Sequence, residues 1–337
     1  MMKHKLHVLF LILCLVLAGC GKDKDKEVVE LPSNVIETED ESNEDAEEQA
    51  ETDTETTEVG EGDVVVSNEQ PVVEEGKTYT GLPALEQIEY VVKDAKNTQG
   101  LSTEKFSHSY GVAADGKPHQ ISIDTQAQFD EINHNALTLD NFSTEKVLYL
   151  TFDCGYEYEN LTGDILDTLK AKNVPAAFFC TLDYLKDAPE FVTRMVNEGH
   201  IVGNHSTTHP SDSSTLSREE LAWELLGVHN YLRVNFGYNS QHFRFPTGTY
   251  SENALELVDS VGYHSIFWSN AHADWDPENQ PGVQKSFDTI TSRLHPGSVI
   301  LLHACSPDNA AILGDFINFA ESQGYVFKSL DEYPNWT

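Results

Sequence analysis

The sequence predicts an α/β protein with a parallel sheet, and three observations carry that prediction. From residue 146 onward, short apolar runs alternate with helical stretches some six or seven times. Asp153, His205, Arg244, Asp274 and His303 each follow, directly or within a few residues, the C-terminal end of a candidate strand, the place where such folds carry their chemistry. Composition also divides the 337 residues unevenly, so that only the later part reads as foldable.

Residues 1–20 open with Lys3, His4 and Lys5, run through an apolar stretch at 9–17 and close on Leu17-Ala18-Gly19-Cys20. The apolar core is too short to span a bilayer and ends in small residues, which is the pattern of a secretory signal. Leu-Ala-Gly-Cys resembles the lipobox of bacterial lipoproteins, and the resemblance implies a lipid on Cys20 that anchors the chain at the outer face of a cell membrane. An ordinary cleaved signal with an incidental cysteine is the alternative. Residues 27–76 hold nineteen Asp or Glu and no Lys or Arg, −19 of the formal −35. Like charges and few aromatics leave too little apolar surface to fold, so residues 21–76 are predicted to be a disordered acidic linker. The folded part is acidic too and has no basic stripe, which argues against nucleic acid as a partner.

Residues 77–144 pattern weakly. They are expected to form an N-terminal extension packed on the main domain, with a helix over 85–96 (Leu85, Ile88, Tyr90, Val91, Val92) and a loop over 108–119. The main domain is assigned to 145–337. Its first strand, 147–152, ends in a Cys-Gly turn, and a helix follows over 161–172 with Ile165, Leu166 and Leu169 on one face. Pro175 breaks that helix before a buried strand at 176–180. A helix over 189–198 is closed by Gly199. It leads into 200–205, the 218–236 helix and the 243–246 strand end. Helix 253–261 precedes a strand at 265–268, and strand 298–303 precedes a helix at 309–323 and a last strand at 325–328. A barrel or an open parallel sheet is the simplest assembly of these parts. With Cys14 in the signal and Cys20 lipidated, Cys154, Cys180 and Cys305 remain, an odd number that argues against a closed disulfide framework.

The polar residues at the strand ends are the raw material of a metal hydrolase. His205 and His209 stand four apart and can reach one divalent ion. Asp153 can act as general base on a metal-bound water, and Arg244 can hold that carboxylate ionised. His303 can protonate a leaving amine, with Asp274 raising its pKa and orienting it.

The segments Thr151-Phe152-Asp153-Cys154-Gly155, His205-Ser206-Thr207-Thr208-His209, Arg244-Phe245-Pro246-Thr247-Gly248, Ala273-Asp274-Trp275 and Leu301-Leu302-His303 resemble, in order and spacing, the polysaccharide deacetylases, the NodB-homology domains of carbohydrate esterase family 4. The resemblance covers residue 145 to the C-terminus. It implies a distorted (β/α) barrel and metal-dependent removal of acetyl from an N-acetylated sugar, with Zn²⁺ as the expected ion. It also implies Asp153 as base, His303 as acid, Arg244 and Asp274 as their orienting partners, and His205 and His209 as metal ligands. The backbone N–H of Thr247, which stands where the family usually has Tyr, is implied as an oxyanion donor, and Trp275 and Leu301 as walls of the acetyl pocket. Closer likeness in FDCGYE, GHIVGNHSTTHP, FWSNAHADW and HPGSVILLHACSPDNA points to the branch that deacetylates N-acetylmuramic acid in peptidoglycan to form the delta-lactam. N-acetylglucosamine of peptidoglycan or another polymer is the alternative.

Most of that family has a second Asp where this chain has Cys154, and that Asp completes the metal's ligands. Two expectations follow: a Cys154 thiolate fills the place, or the ligand is lost and water replaces it. A relative that binds glycan without catalysis is the rival reading. The presence of Asp153, Arg244, Asp274 and His303 together speaks against it, because binding alone needs neither base nor acid.

Overall fold

The computed structural model describes residues 60–132 and 134–336. The predicted signal, Cys20 and residues 21–59 of the predicted linker lie outside the described residues. Structure begins inside the stretch assigned to the linker. Strand β1 (Val64–Val66) pairs antiparallel with β2 (Tyr90–Val92), and both pack on the long helix α5 (Arg218–Phe236). The linker boundary at 76 is therefore too late, because Val66, Asn68 and Gln70 are already buried.

The helix expected over 85–96 is not there, since its middle forms β2 and a turn follows. The preceding backbone is satisfied from outside: Leu85 N–H donates to Arg233 O (3.0 Å) and Ile88 N–H to Asn230 Oδ1 (2.9 Å). β-Branched Val91 and Val92 suit a strand better than a helix. Strand β3 (Phe106–Ser107) follows, then a helix that hydrophobic spacing did not predict, α1 (Gln120–Ile132). Its buried face is largely polar (Ser122, Gln126, Phe129). The Gln126 amide is spent on backbone, accepting from Thr138 and Leu139 N–H and donating to Ala136 O.

Strand β4 (Ala136–Leu137) leads to β5 (Val147–Cys154), α2 (Leu161–Lys172), β6 (Ala177–Cys180), α3 (Leu182–Asp187), α4 (Pro189–Asn197) and β7 (Ile201–Asn204). After α5 come β8 (His242–Phe243), β9 (Thr249–Tyr250), α6 (Glu252–Ser260), β10 (His264–Ile266), β11 (Asn270–Ala271), α7 (Val283–Ser292), β12 (Ser298–His303), α8 (Pro307–Ser322) and β13 (Val326–Phe327). Helices α2 and α5 match their predicted bounds. Helix α5 starts in a Ser217–Glu220 capping box and ends at Gly237 in the left-handed conformation, the start and stop signals expected of a stable helix. Helices α3 and α7 were not predicted: the first has six residues, and the second buries only Ser286 and Ile290.

The main sheet runs β11-β12-β5-β6-β7-β8-β10-β4, all parallel, with β13 beside the start of β5. An isolated bridge between Leu139 and Ser298 brings the chain after β4 back to β12, next to the opposite edge. The sheet thus curls into the distorted (β/α) barrel. Strand β5 is buried along its whole length rather than alternately exposed, as a parallel strand covered on both faces must be. Its even residues Leu148, Leu150, Phe152 and Cys154 pack with α2, α4 and α8 on the helix side. Its odd residues Val147 and Tyr149 join Ala177, Phe179, Ile201 and Val299 in the barrel interior. That two-sided register decides which residues reach the site.

Candidate active site

A cavity of about 700 Å³ opens at the C-terminal ends of the strands and is lined by Asp153, His205, His209, Thr247, Trp275, Leu301 and His303, among others. These seven residues, scattered over 151 positions of sequence, are brought together as predicted. Arg244 and Asp274 do not line it. Each is fully buried behind a lining residue that it holds.

Asp153 and His303 are direct partners in the β5–β12 register, so their side chains leave the sheet on the same, interior face. Arg244 NH1 donates to Asp153 Oδ1 at 2.7 Å. Its other nitrogens donate to Ile266 O (3.0 Å), Thr151 Oγ1 (2.8 Å) and Phe267 O (3.3 Å), and the guanidinium lies 4.2 Å over the Phe179 ring. Each nitrogen of this buried cation therefore has a partner, four of its five N–H groups being used, as a guanidinium in a low-dielectric interior requires. Burial alone would raise the Asp153 pKa, but the Arg244 guanidinium beside it, helped by His303, outweighs burial and holds the carboxyl below its ordinary value. Asp153 is therefore an ionised carboxylate.

His303 is the opposite case. Burial lowers its pKa, but the hydrogen bond from Nδ1–H to Asp274 Oδ1 (2.8 Å), the charge of Asp274 and that of Asp153 win, and the net shift is upward. Asp274 Oδ2 accepts from His303 N–H (2.8 Å) and from Asn309 Nδ2 (2.6 Å). The carboxylate is thus fixed at both oxygens and fixes the imidazole with Nε2 free. Two titratable groups on neighbouring strands thus have their pKa values pushed in opposite directions, Asp153 down and His303 up.

His205 follows β7 directly and its Nδ1 lies 2.8 Å from Arg244 O. A carbonyl only accepts, so Nδ1 carries the proton and Nε2 is a bare lone pair. Burial, the largest influence, keeps the ring neutral, with a pKa of about 4. Nε2 sits 3.4 Å from Asp153 Oδ2, which sets two acceptors face to face. The His209 ring lies 4.9 Å away, nearly perpendicular at 74°. An imidazole whose far nitrogen is pinned by a carbonyl and whose near nitrogen is bare is the normal form of a metal-ligating histidine. The donor set therefore fits a divalent cation held through His205 and His209.

Cys154 is not part of that set. It pairs in register with Cys180, whose other neighbour is Asn204, and this row faces the helices. Cys154 is in the apolar core with Phe152, Leu182 and Tyr184. Burial, then the Cys180 thiol, raises its pKa well above the ordinary thiol value, against the thiolate a metal needs. The predicted Cys154 ligand is corrected on this ground: adjacent strand residues point to opposite faces, and Asp153 already takes the interior one. Cys154, Cys180 and Cys305 are all free thiols.

The 205–209 loop is held by a residue that the motif reading missed. Glu224 accepts through its carboxylate from Thr208 N–H (2.8 Å) and Thr208 Oγ1 (2.5 Å), and through its carbonyl from Thr207 N–H and Oγ1. Ser206 Oγ accepts from His209 N–H (3.0 Å). Ser206 and His209 both have positive φ, 72° and 53°, a cost of about 1–3 kcal/mol each that these contacts offset. The signal was in the sequence: Glu224 lies on the core face of α5 between Leu221 and Val228, where an unpaired carboxylate would be costly. Thr247 is likewise strained, at φ 58°, a genuine outlier for a β-branched residue. Its hydroxyl donates to Ser211 O at 3.2 Å.

Comparison with known proteins agrees with this geometry. The model of the polysaccharide deacetylase family matches residues 140–266. Peptidoglycan-N-acetylmuramic acid deacetylase PdaA of Bacillus subtilis is 40% identical over 200 residues, 59% of this chain and 75% of that protein. An uncharacterized 30.6 kDa protein of Geobacillus stearothermophilus is 46% identical over 190 residues, 56% of this chain and 71% of its counterpart. The solved structure of Bacillus subtilis PdaA, a family 4 carbohydrate esterase, superposes with a TM-score of 0.64 at 35% identity, covering 69% of this chain and 98% of that one. With the carboxylate, the three imidazoles and this likeness in sequence and fold, the chain belongs to the polysaccharide deacetylases, hydrolases that act on N-acetyl amide bonds.

Proposed function

We propose that this chain is a metal-dependent peptidoglycan N-deacetylase acting on N-acetylmuramic acid, at the outer face of the membrane and anchored through Cys20. The observation that carries the reading is the division of charge in one cavity. Arg244 holds the Asp153 carboxyl below its ordinary pKa, and Asp274 lifts the His303 pKa above its ordinary value. His205 and His209 would hold the ion, and their nitrogen donors suit Zn²⁺. Such an ion, when bound, acidifies water and polarises a carbonyl.

The residues of the chain do the rest. Asp153 takes the proton of the attacking water, and Arg244 keeps it ionised while it does so. His303 delivers its Nε2 proton to the sugar nitrogen as the C–N bond breaks, so acetate and a free amine leave. The Thr247 backbone N–H is the donor assigned to the carbonyl oxygen as charge develops there. Trp275 and Leu301, both on the cavity wall, would enclose the acetyl methyl.

Identity with PdaA, which is named for N-acetylmuramic acid, supports the muramic substrate over N-acetylglucosamine. Mass spectrometry of glycan strands, digested after treatment with the protein, tests it. A 42 Da loss on muramic acid, corresponding to removal of acetyl as ketene equivalent, or its delta-lactam, is expected at roughly stoichiometric conversion. The same loss on glucosamine alone overturns the sugar assignment. No acetate release with any divalent metal, with Asp153→Asn as the control, overturns the activity. Among the described residues no helix is long and apolar enough to cross a membrane. Detergent-phase partition of the full chain against Cys20→Ala tests the proposed anchor.

A further inference from the structure

One wall of the cavity comes from outside the segment that the family model matches. Strand β3 pairs antiparallel with β9, Phe106 opposite Tyr250 and Ser107 opposite Thr249. The next residue, His108, continues the contact: its N–H donates to Gly248 O (2.8 Å) and its Nε2 to Trp268 O (2.7 Å). Its ring meets Trp268 edge-on at 4.8 Å and stacks on Tyr110 at 6.2 Å. Gly248, at φ 69°, has no room for a side chain, since an added Cβ would lie 2.7 Å from Trp268 and 3.1 Å from His108. The first turn of α1 finishes the clamp, with Ser122 Oγ donating to Tyr110 O at 2.7 Å.

The result is a rigidly placed Tyr110. Its ring is half-buried, lines the cavity beside Trp268 and His272, and stands at 61° to the Trp268 ring with centroids 6.3 Å apart. The anchoring hydrogen bond is made by the Tyr110 backbone, and its ring packs on His108 and Trp268 while still facing the cavity. Trp275, 62% exposed, lines the same cavity. Aromatic faces held at the mouth of a polar site are what a pyranose ring, with its axial C–H groups, stacks on.

We propose that Tyr110 is a specificity-determining residue. It stacks on a sugar next to the one that loses its acetyl, so the 106–110 strand turns a single-sugar pocket into a subsite for a glycan chain. The inference rests on the proposed glycan deacetylase reading. It goes beyond that reading by assigning recognition of chain length to the extension.

The test compares acetate release from stem-peptide-free glycan strands and from the disaccharide unit of the same glycan. The readout is the ratio of the two kcat/KM values. In Tyr110→Ala the preference for strands is expected to fall about tenfold, equivalent to about 1.4 kcal/mol. Tyr110→Phe, which keeps the ring, is expected to restore it. A merely structural role would lower both substrates together and leave the ratio as in the unmodified chain, which would overturn the proposal. So would a Tyr110→Phe variant as impaired in the ratio as Tyr110→Ala. Calorimetric binding of strands to Asp153→Asn, with and without Tyr110→Ala, separates the two readings. Tyr110-dependent strand binding by a chain that releases no acetate would sink the catalytic reading and leave the subsite. Acetate release with a Tyr110-independent ratio and Tyr110-independent binding would do the reverse.

Discussion

Replacing Asp274 by Asn removes one charge and almost no volume, so its consequences can be worked from the contacts. The carboxylate accepts three hydrogen bonds, from His303 Nδ1, His303 N–H and Asn309 Nδ2. An amide offers one acceptor oxygen. If that oxygen faces Nδ1–H, the new NH₂ meets two donors, and two buried bonds at about 1.5–3 kcal/mol each are lost. A stability loss of roughly 3 kcal/mol lowers Tm by roughly 6–12 °C for a domain of this class. The effect on the acid is more diagnostic. Asp274 is what lifts the His303 pKa against burial, so without the carboxylate the pKa falls. The acid works protonated, and the alkaline limb of the rate profile must then move to lower pH. Near neutral pH the rate should drop by about a hundredfold or more. The linkage has the same sign: a raised His pKa stabilises the fold below its unfolded value and ceases to as pH rises through the folded one. The stability gap between the two chains therefore narrows at alkaline pH. Acetate release and calorimetric Tm across a pH series measure both. An alkaline limb that stays in place would refute the assignment of His303 as the acid tuned by Asp274.

The other outcomes concern the rest of the site. Arg244→Met leaves Asp153 buried and unpaired, so the acid limb should move to higher pH, and stability should fall by roughly 3–5 kcal/mol; an unmoved acid limb would remove Asp153 as the base. Cys154→Ser should keep the metal affinity of the unmodified chain, read by competition with a chelating dye, while losing roughly 1–3 kcal/mol for a hydroxyl in an apolar core. A tenfold loss of affinity would reinstate the thiolate. Glu224→Ala removes both side-chain contacts to Thr208, and it should weaken metal binding about 10- to 100-fold through the 205–209 loop, with unchanged affinity counting against that positioning role.

The elements carried by apolar periodicity were legible to within one or two residues. Helices α2 and α5 and strand β12 match because each has a clear apolar face or core run and recognisable end signals. The failures share a cause. Helix α1 buries Ser122 and Gln126, which look like surface in a hydrophobicity pattern. Residues 85–88 are extended because α5 supplies their hydrogen-bond partners from 142 or more positions away. Propensity and spacing describe a segment's own preferences, and in both places the partner decided.

The site divides along the same line. Residue types at successive strand ends marked Asp153, His205, His209, Arg244, Asp274 and His303 as candidate metal-hydrolase groups, and the motif resemblance supplied their expected roles. Which of two adjacent residues in β5 faces the cavity was not in the spacing. The parallel register of β5 between β6 and β12 sends Asp153 inward and Cys154 to the helices. Nor could the chain order show that Tyr110, from the weakly patterned extension, closes the cavity beside Trp268, or that Glu224 grips the histidine loop. Those depend on tertiary pairing, β3 on β9 more than a hundred residues away and α5 under β7 across 16 residues, and a contact between separate elements leaves no mark on local periodicity.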